Sequence, residues 1–188
     1  PEIARKTEEI LPFYPKAAEV IIPSCISDNI TLSTMHGCPA EEIEDIAGYL
    51  ITEQQLHTYV KLNPTLLGSD LLRELLNDVL GFDTVVPDQA FAHDLKYEDA
   101  LKMVGSLRKK AFLNKREFGL KLTNTLESEN RKQVFGPDVE MMYMSGRALH
   151  PISVTLAAAL RKEFGPDLPM SFSAGADAFN IIDLLKCG

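Results

Sequence analysis

Apolar positions along the chain switch repeatedly between a period of two and a period near 3.6. That switching predicts strands alternating with helices. Asn29 to Ser33 reads as a first strand, and Pro39-Ala40-Glu41-Glu42 opens a helix to about Gln54 with Ile43, Ile46, Ala47 and Leu50 on one face. His57 to Leu62 is the next strand. Ser69 is expected to cap a helix whose apolar stripe is Leu71, Leu72, Leu75, Leu76 and Val79, stopped at Gly81. Asp83 to Val86 reads as a short strand or extended piece, and Pro87 to Tyr97 as irregular. A long amphipathic helix then runs to about Asn114. Phe118 to Thr123 is a strand, Glu127 to Asp138 a polar excursion, and Met141 to Met144 a further strand. Pro151 starts a helix through Phe164, stopped by Gly165-Pro166. A last strand, Pro169 to Ser173, precedes a helix from about Ala178 to Leu185. Upstream of all this lie a short helix, Pro1 to Ile10, and a Pro-punctuated stretch to Pro23.

Strands separated by helices of about 10–15 residues argue for βα units on a parallel sheet. Roughly five or six units are expected, too few for a closed eight-stranded barrel. The predicted fold is therefore α/β, a partial (β/α)8 TIM barrel, with a doubly wound open sheet as the alternative. Residues 1–26 form a lead-in and 27–188 the incomplete barrel, lacking its final strand. Pro1 is not preceded by a Met, and no strand follows the helix ending Leu184-Leu185-Lys186-Cys187-Gly188. Both ends lead us to expect a fragment of a longer chain.

The bulk numbers narrow the function classes. The 188 residues are 45% hydrophobic and 24% charged, ordinary values for one globular domain. A formal net charge of −8 without Lys/Arg blocks weighs against nucleic-acid or anionic-membrane partners. No apolar run approaches the roughly 20 residues of a membrane span, and no signal-peptide pattern opens the chain, so a cytoplasmic location is expected. The 3 cysteines, Cys25, Cys38 and Cys187, form no Cys-x-x-Cys pair. They read as reduced thiols and cannot by themselves hold an iron–sulfur cluster.

Two predicted strands echo one another. Tyr59-Val60-Lys61-Leu62-Asn63-Pro64-Thr65-Leu66 is matched by Leu120-Lys121-Leu122-Thr123-Asn124-Thr125-Leu126. An ammonium group within a strand is costly to bury unless an anion meets it. The bland reading of Lys61 and Lys121 is a pair of edge or rim lysines; the sharper one is a ligand-binding or Schiff-base lysine. Polar clusters follow nearly every strand: Thr31 to Cys38, Lys61 and Asn63, Asn124 and Thr125, Ser145-Gly146-Arg147, and Ser173-Ala174-Gly175. That is the catalytic-face layout of a barrel, where strand-end loops converge on one small molecule. Ser145-Gly146 and Ser173-Ala174-Gly175 each precede a helix, where backbone N–H groups suit a phosphate, although such glycines also serve the turn itself. Cys38 sits at a helix start, where the dipole lowers a thiol pKa; a buried structural cysteine is the competing reading. His36 and Cys38 lack the further ligands a metal requires, so no metal is expected. His57, His93 and His150 have no partners visible in the sequence.

These residues resemble a known family. Leu32-Ser33-Thr34-Met35-His36-Gly37, Val60-Lys61-Leu62-Asn63-Pro64, Thr123-Asn124-Thr125, Ser145-Gly146-Arg147-Ala148-Leu149-His150-Pro151 and Ser173-Ala174-Gly175 follow one another as in the FMN-binding barrel of the dihydroorotate and dihydropyrimidine dehydrogenases. The match is closer to large bacterial flavin/iron–sulfur proteins named as selenate reductase subunits, relatives of the glutamate synthase small subunit. It covers about Ser27 to Gly188. The resemblance implies that Lys61, with Asn63 beside it, meets the flavin ring and that Asn124 and Thr125 hold flavin and substrate. It also implies that Ser145, Gly146, Ser173 and Gly175 surround the ribityl chain and phosphate. A cation at the N1/O2 side of the ring stabilises the anionic reduced flavin.

The departures from that pattern are as informative. Thr31 stands at the family's asparagine position and Thr34 at its catalytic cysteine or serine, and threonine is a poor base without an activating neighbour. A double-glycine loop becomes Ala174-Gly175, and the final strand is missing, so the isolated chain is expected to bind FMN poorly. The leading reading is the FMN and substrate barrel of a multidomain oxidoreductase. Electrons from NADPH would arrive through FAD and iron–sulfur clusters in other domains of the parent, with Thr34 or Cys38 as proton-transfer candidates. The expected partners are a small-molecule substrate, those other domains, and a second copy across the open barrel edge. A Schiff-base lyase or aldolase using Lys61 or Lys121, and a barrel kept only as a non-catalytic scaffold, are the alternatives.

Overall fold

A computed structural model describes residues 2–187 apart from Ile22, Ser24 and Met35. Pro1, Met35 and Gly188, which the sequence patterns include, lie outside the described residues. The lead-in holds α1 (Glu2–Ile10) and a 3-10 turn at Pro15–Glu19. None of their described side chains belongs to a buried core. Phe13, Ile21 and Ile26 are 78%, 92% and 77% exposed.

The domain proper begins with β1 (Asn29–Ser33), α2 (Ala40–Thr52) and β2 (His57–Leu62). After a 3-10 turn at Pro64–Leu67 the chain makes an excursion before returning to the sheet. It forms α3 (Ser69–Arg73), a π-helical segment Glu74–Val79, α4 (Asp88–His93) and α5 (Tyr97–Leu113). Then follow β3 (Phe118–Leu122), β4 (Leu126–Glu129), β5 (Met141–Met144), α6 (His150–Phe164), β6 (Met170–Phe172) and α7 (Ile181–Lys186). Gly68, not Ser69, occupies the N-cap of α3, and the Ser69 hydroxyl bonds Asp70 instead.

The main sheet has 4 parallel strands in the order β1-β2-β3-β6. Val60 and Leu62 of β2 and Leu120 and Leu122 of β3 are almost fully buried. They pack on Ile43, Ala47 and Ile51 of α2, Met103, Val104 and Leu107 of α5, and Leu156 and Leu160 of α6. Each of these leucines contributes roughly 2 kcal/mol by burial. The alternate strand positions, including Tyr59, Lys61 and Lys121, face the other way and stay half-buried. A sheet with its helices on one face is part of a (β/α) barrel; a doubly wound sheet carries helices on both.

The expected count of five or six units falls to four parallel strands. Met141–Met144 does not join the sheet. It pairs antiparallel with β4, from Leu126 opposite Met144 to Glu129 opposite Met141. The polar sequence Glu127-Ser128-Glu129 hid that first arm, although Leu126 and Ser128 alternate inward. Asp83–Val86 is not a strand either. A hydrogen bond from Glu129 N–H to the Val85 carbonyl (2.9 Å) ties it to the hairpin without forming a ladder. The Pro87–Tyr97 stretch, expected to be irregular, contains α4.

A second core joins the excursion to the hairpin. Leu72, Leu76, Val86 and Ala90 pack with Leu126, Leu149, Ile152 and Ala174. It lies over the carboxyl ends of the strands, and the polar strand-end residues fall between the two cores.

Candidate functional site

The polar layer starts at the paired ends of β2 and β3. Asn124 N–H donates to the Leu62 carbonyl (2.7 Å), carrying the strand pairing past the end of β3. Asn124 Nδ2 donates to Asn63 Oδ1 at 2.6 Å and lies 3.4 Å from the Lys61 carbonyl. Both asparagines are buried, Asn63 at 7% exposure and Asn124 at 9%. Asn63 Nδ2 and Asn124 Oδ1 have no partner among the described residues, and neither is among the buried side-chain atoms stranded without one. They therefore keep some accessible surface, one as a donor and one as an acceptor. Thr123 shares a 2.9 Å hydroxyl–hydroxyl bond with Ser153 of α6, and Thr125 is half-buried beside them.

The β6 end meets the same layer. Ser173 N–H donates to the Leu122 carbonyl at 3.0 Å, and its hydroxyl reaches that oxygen at 3.2 Å. Gly175 has φ +74, and a Cβ placed there would lie 2.4 Å from Arg147 Cα. The Ser145-Gly146-Arg147 turn and the Ser173-Ala174-Gly175 turn are thus in backbone contact. A 2.5 Å ion pair from Arg147 to Asp177 and a 3.0 Å bond from His150 Nδ1 to the Ala174 carbonyl clasp them further. The Phe179 N–H, followed by the nearby Arg147 charge, holds the Asp177 carboxyl below its usual range.

The β1 loop is organised by a residue that sequence reasoning missed. Asp94, just past α4, has a side chain only 2% exposed. It accepts hydrogen bonds from Thr65 Oγ1 (2.6 Å), from the Gly37 N–H (3.2 Å) and from His36 Nδ1 (3.1 Å). His36 also stacks on Tyr143 of the hairpin, with ring centroids 5.8 Å apart. With Nδ1 turned to the carboxylate, Nε2 has no partner among the described residues. An aspartate in a Pro-bounded stretch, 58 residues from the histidine it holds, leaves no local signal.

Thr34 is half-buried at the start of this loop. Cys38 packs partly into the main core, and burial, followed by the neighbouring Glu42 carboxylate, pushes its thiol up. That direction goes with the reading of Cys38 as a packed structural cysteine and against a thiol activated at a helix start. Cys25 and Cys187 are exposed free thiols. His36 is paired with Asp94 rather than Cys38, and among the described residues no three His, Cys, Asp or Glu side chains converge as a metal site would need. His57 has partners after all: its Nδ1 accepts the Glu117 N–H at 2.8 Å.

Lys61 and Lys121 are neighbours. Their Cα positions are paired across β2 and β3, with Ser33 beyond Lys61 and Ser171 beyond Lys121 in the same row.

Comparison with known proteins decides the family. The model of the family described as "Oxidoreductase YgfK, N-terminal TIM-barrel domain" matches residues 3–188. The chain belongs to this family. "Putative oxidoreductase YgfK" of Escherichia coli strain K12 is 47% identical over 168 residues, and the protein of that name from Escherichia coli O157:H7 matches to the same extent. The alignment covers 89% of this chain and 16% of each relative. The YgfK-type barrel domain accounts for the parallel sheet with helices on one face, and it places the polar layer where barrels bind ligands. No helix among the described residues is long and apolar enough to cross a membrane.

Proposed function

We propose that this YgfK-type domain binds FMN over the carboxyl ends of β2, β3 and β6, as one part of a larger flavin-dependent oxidoreductase. One observation carries the reading. A strand lysine with no anionic partner among the described residues, Lys61, stands beside two buried amides that keep one free donor and one free acceptor. An ammonium, an amide donor and an amide acceptor suit the alternating acceptors and N–H of the isoalloxazine pyrimidine edge. Gly146, at φ +64 with no atom within 4 Å of an added Cβ, offers open backbone on the side expected to take the phosphate. Bound there, the flavin would supply hydride and single-electron transfer. Lys61 would hold the ring's negative edge, and Asn63 and Asn124 would fix its orientation. His36, steadied by Asp94, presents Nε2 at the same end of the strands. Reducing equivalents would reach the site from FAD and iron–sulfur clusters elsewhere in the full-length protein, in a cytoplasmic setting.

The test is the flavin content of the full-length protein, by absorption spectrum and by chromatography of the released cofactor. FMN is expected, and Lys61→Met should weaken its binding roughly 10- to 100-fold, the weight of one charge-assisted hydrogen bond. A full-length protein that neither carries nor takes up FMN, or a Lys61→Met variant with unchanged affinity, overturns the reading.

A further inference from the structure

Near the carboxyl ends of the strands one row of side chains runs through all 4 strands of the sheet: Ser33, Lys61, Lys121 and Ser171. They occupy the face turned away from α2, α5 and α6, the face that lines the lumen of a barrel. The two ammonium groups rise from strands about 4.8 Å apart. Every member of the row offers a hydrogen-bond donor and none carries a carboxylate. The row beneath it, Thr31, Tyr59 and Gly119, adds no acid. Ion pairs do engage other basic residues, including Lys102, Lys110, Arg73 and Arg147. Lys61 and Lys121 form none among the described residues, although both are half-buried. Two like charges side by side in a part-buried row repel one another until something negative sits between them.

We propose that Lys61 and Lys121, flanked by the Ser33 and Ser171 hydroxyls, form a two-cation subsite for a substrate group carrying two negative charges. A dicarboxylate and a divalent oxyanion share the chemistry this row recognises. The proposal deepens the flavin reading by naming a substrate class and rests on it for the ring's place beside Lys61; anion binding itself does not depend on the flavin. Lys61 serves both the ring and the anion, whereas Lys121 serves the anion alone. Lys121 is thus the residue that sets selectivity.

Calorimetric titration of the full-length protein with malonate, sulfate, acetate and chloride tests this. Malonate or sulfate should bind at least about tenfold more tightly than acetate or chloride, and whichever of the two binds better identifies the source of the charge. Lys121→Met should cost the divalent anion about tenfold while leaving FMN affinity within about twofold; Lys61→Met should weaken both. Lys121→Arg, which keeps the charge, should stay within about threefold of the wild type and guards against misfolding of the methionine variant. Equal affinity for divalent and monovalent anions overturns the proposal. So does a Lys121→Met variant that lowers the melting temperature but not anion affinity, which would make Lys121 half of a structural ion pair with another part of the protein. Divalent-anion binding in a protein that never takes up FMN would sink the flavin reading and leave the subsite standing. FMN binding without anion selectivity would do the reverse.

Discussion

Gly175 is where the two loops proposed to surround the phosphate touch, and replacing it with alanine should separate them. Two costs add there. At φ +74 an alanine costs roughly 1–2 kcal/mol for left-handed backbone. Its Cβ would also sit 2.4 Å from Arg147 Cα, 2.9 Å from Arg147 N and 3.1 Å from Arg147 Cβ. Two of those atoms are backbone, so no rotamer change relieves the overlap, and overpacking of this kind costs about 1–3 kcal/mol more. The sum is roughly 2–5 kcal/mol, more than the 2.5 Å Arg147–Asp177 pair can restore, since the Arg147 side chain is 78% exposed. Gly146→Ala is the internal control. Its φ is +64 but nothing lies within 4 Å of the new Cβ, so only the backbone cost of about 1–2 kcal/mol applies. Hydrogen exchange followed by mass spectrometry on the full-length protein reads both. Gly175→Ala should speed exchange in residues 145–149 and 173–180 together, by the local-opening free energy just given. Gly146→Ala should act more weakly and mainly on its own turn. Two variants of equal effect, or a neutral Gly175→Ala, would refute the argument that close approach rather than φ dictates this glycine.

Two further outcomes follow from charge and burial. Glu44 accepts hydrogen bonds from Lys110 (2.8 Å) and Ser106 (2.6 Å), and the first of these does most to hold its carboxyl below the ordinary 4.5. A depressed carboxylate adds stability above that ordinary value and loses it as pH falls through the folded one. Glu44→Gln should therefore flatten the acid limb of a denaturation series below about pH 5, by less than about 1 kcal/mol because the pair is partly solvated; an unchanged limb contradicts the assignment. Cys38, its thiol pushed up by burial and then by Glu42, should be alkylated more slowly near pH 8 than the exposed Cys25 and Cys187. Peptide mapping that found Cys38 labelled first would overturn that.

The sheet was legible because its strands carry the period-2 pattern on their own residues. Thr58, Val60 and Leu62 alternate with half-buried neighbours as the sequence suggests. The excursion and the hairpin were less so. Glu127-Ser128-Glu129 forms a strand by pairing with Met141-Met142-Tyr143, and nothing in three polar residues announces a partner so far along the chain. Asp83–Val86 has strand-like composition, yet its backbone is used otherwise: Asn77 Nδ2 donates to the Phe82 and Thr84 carbonyls at 2.8 Å each. A side chain one helix back competes with any ladder, and propensity cannot show that. The site divides along the same line. The gathering of Lys61, Asn63, Asn124, Ser173 and Gly175 at one end of the sheet was readable because each lies at or just past a strand end. Asp94 was not, because its role exists only after the excursion folds back over β2.

That fold-back also explains why the polar layer can be dry at its base and open at its rim. Asn63, Thr65, Asp94, Thr123, Asn124 and Ser153 are all buried, and leaving any one unpaired would cost about 1–3 kcal/mol. The two cores on either side of the layer keep water from offsetting that cost everywhere, so the groups satisfy one another: Asn124 with Asn63, Thr123 with Ser153, Thr65 with Asp94. Among the described residues, what escapes this mutual pairing is Asn63 Nδ2, Asn124 Oδ1, His36 Nε2 and the two lysines of the lumen row, all near the carboxyl ends of the strands. A layer held rigid by its own bonds, with its unused donors, acceptors and charges at one end of the sheet, has those groups set in place before any ligand arrives. That preorganisation is what the proposed binding of a flat, polar-edged ring and a doubly charged substrate would require.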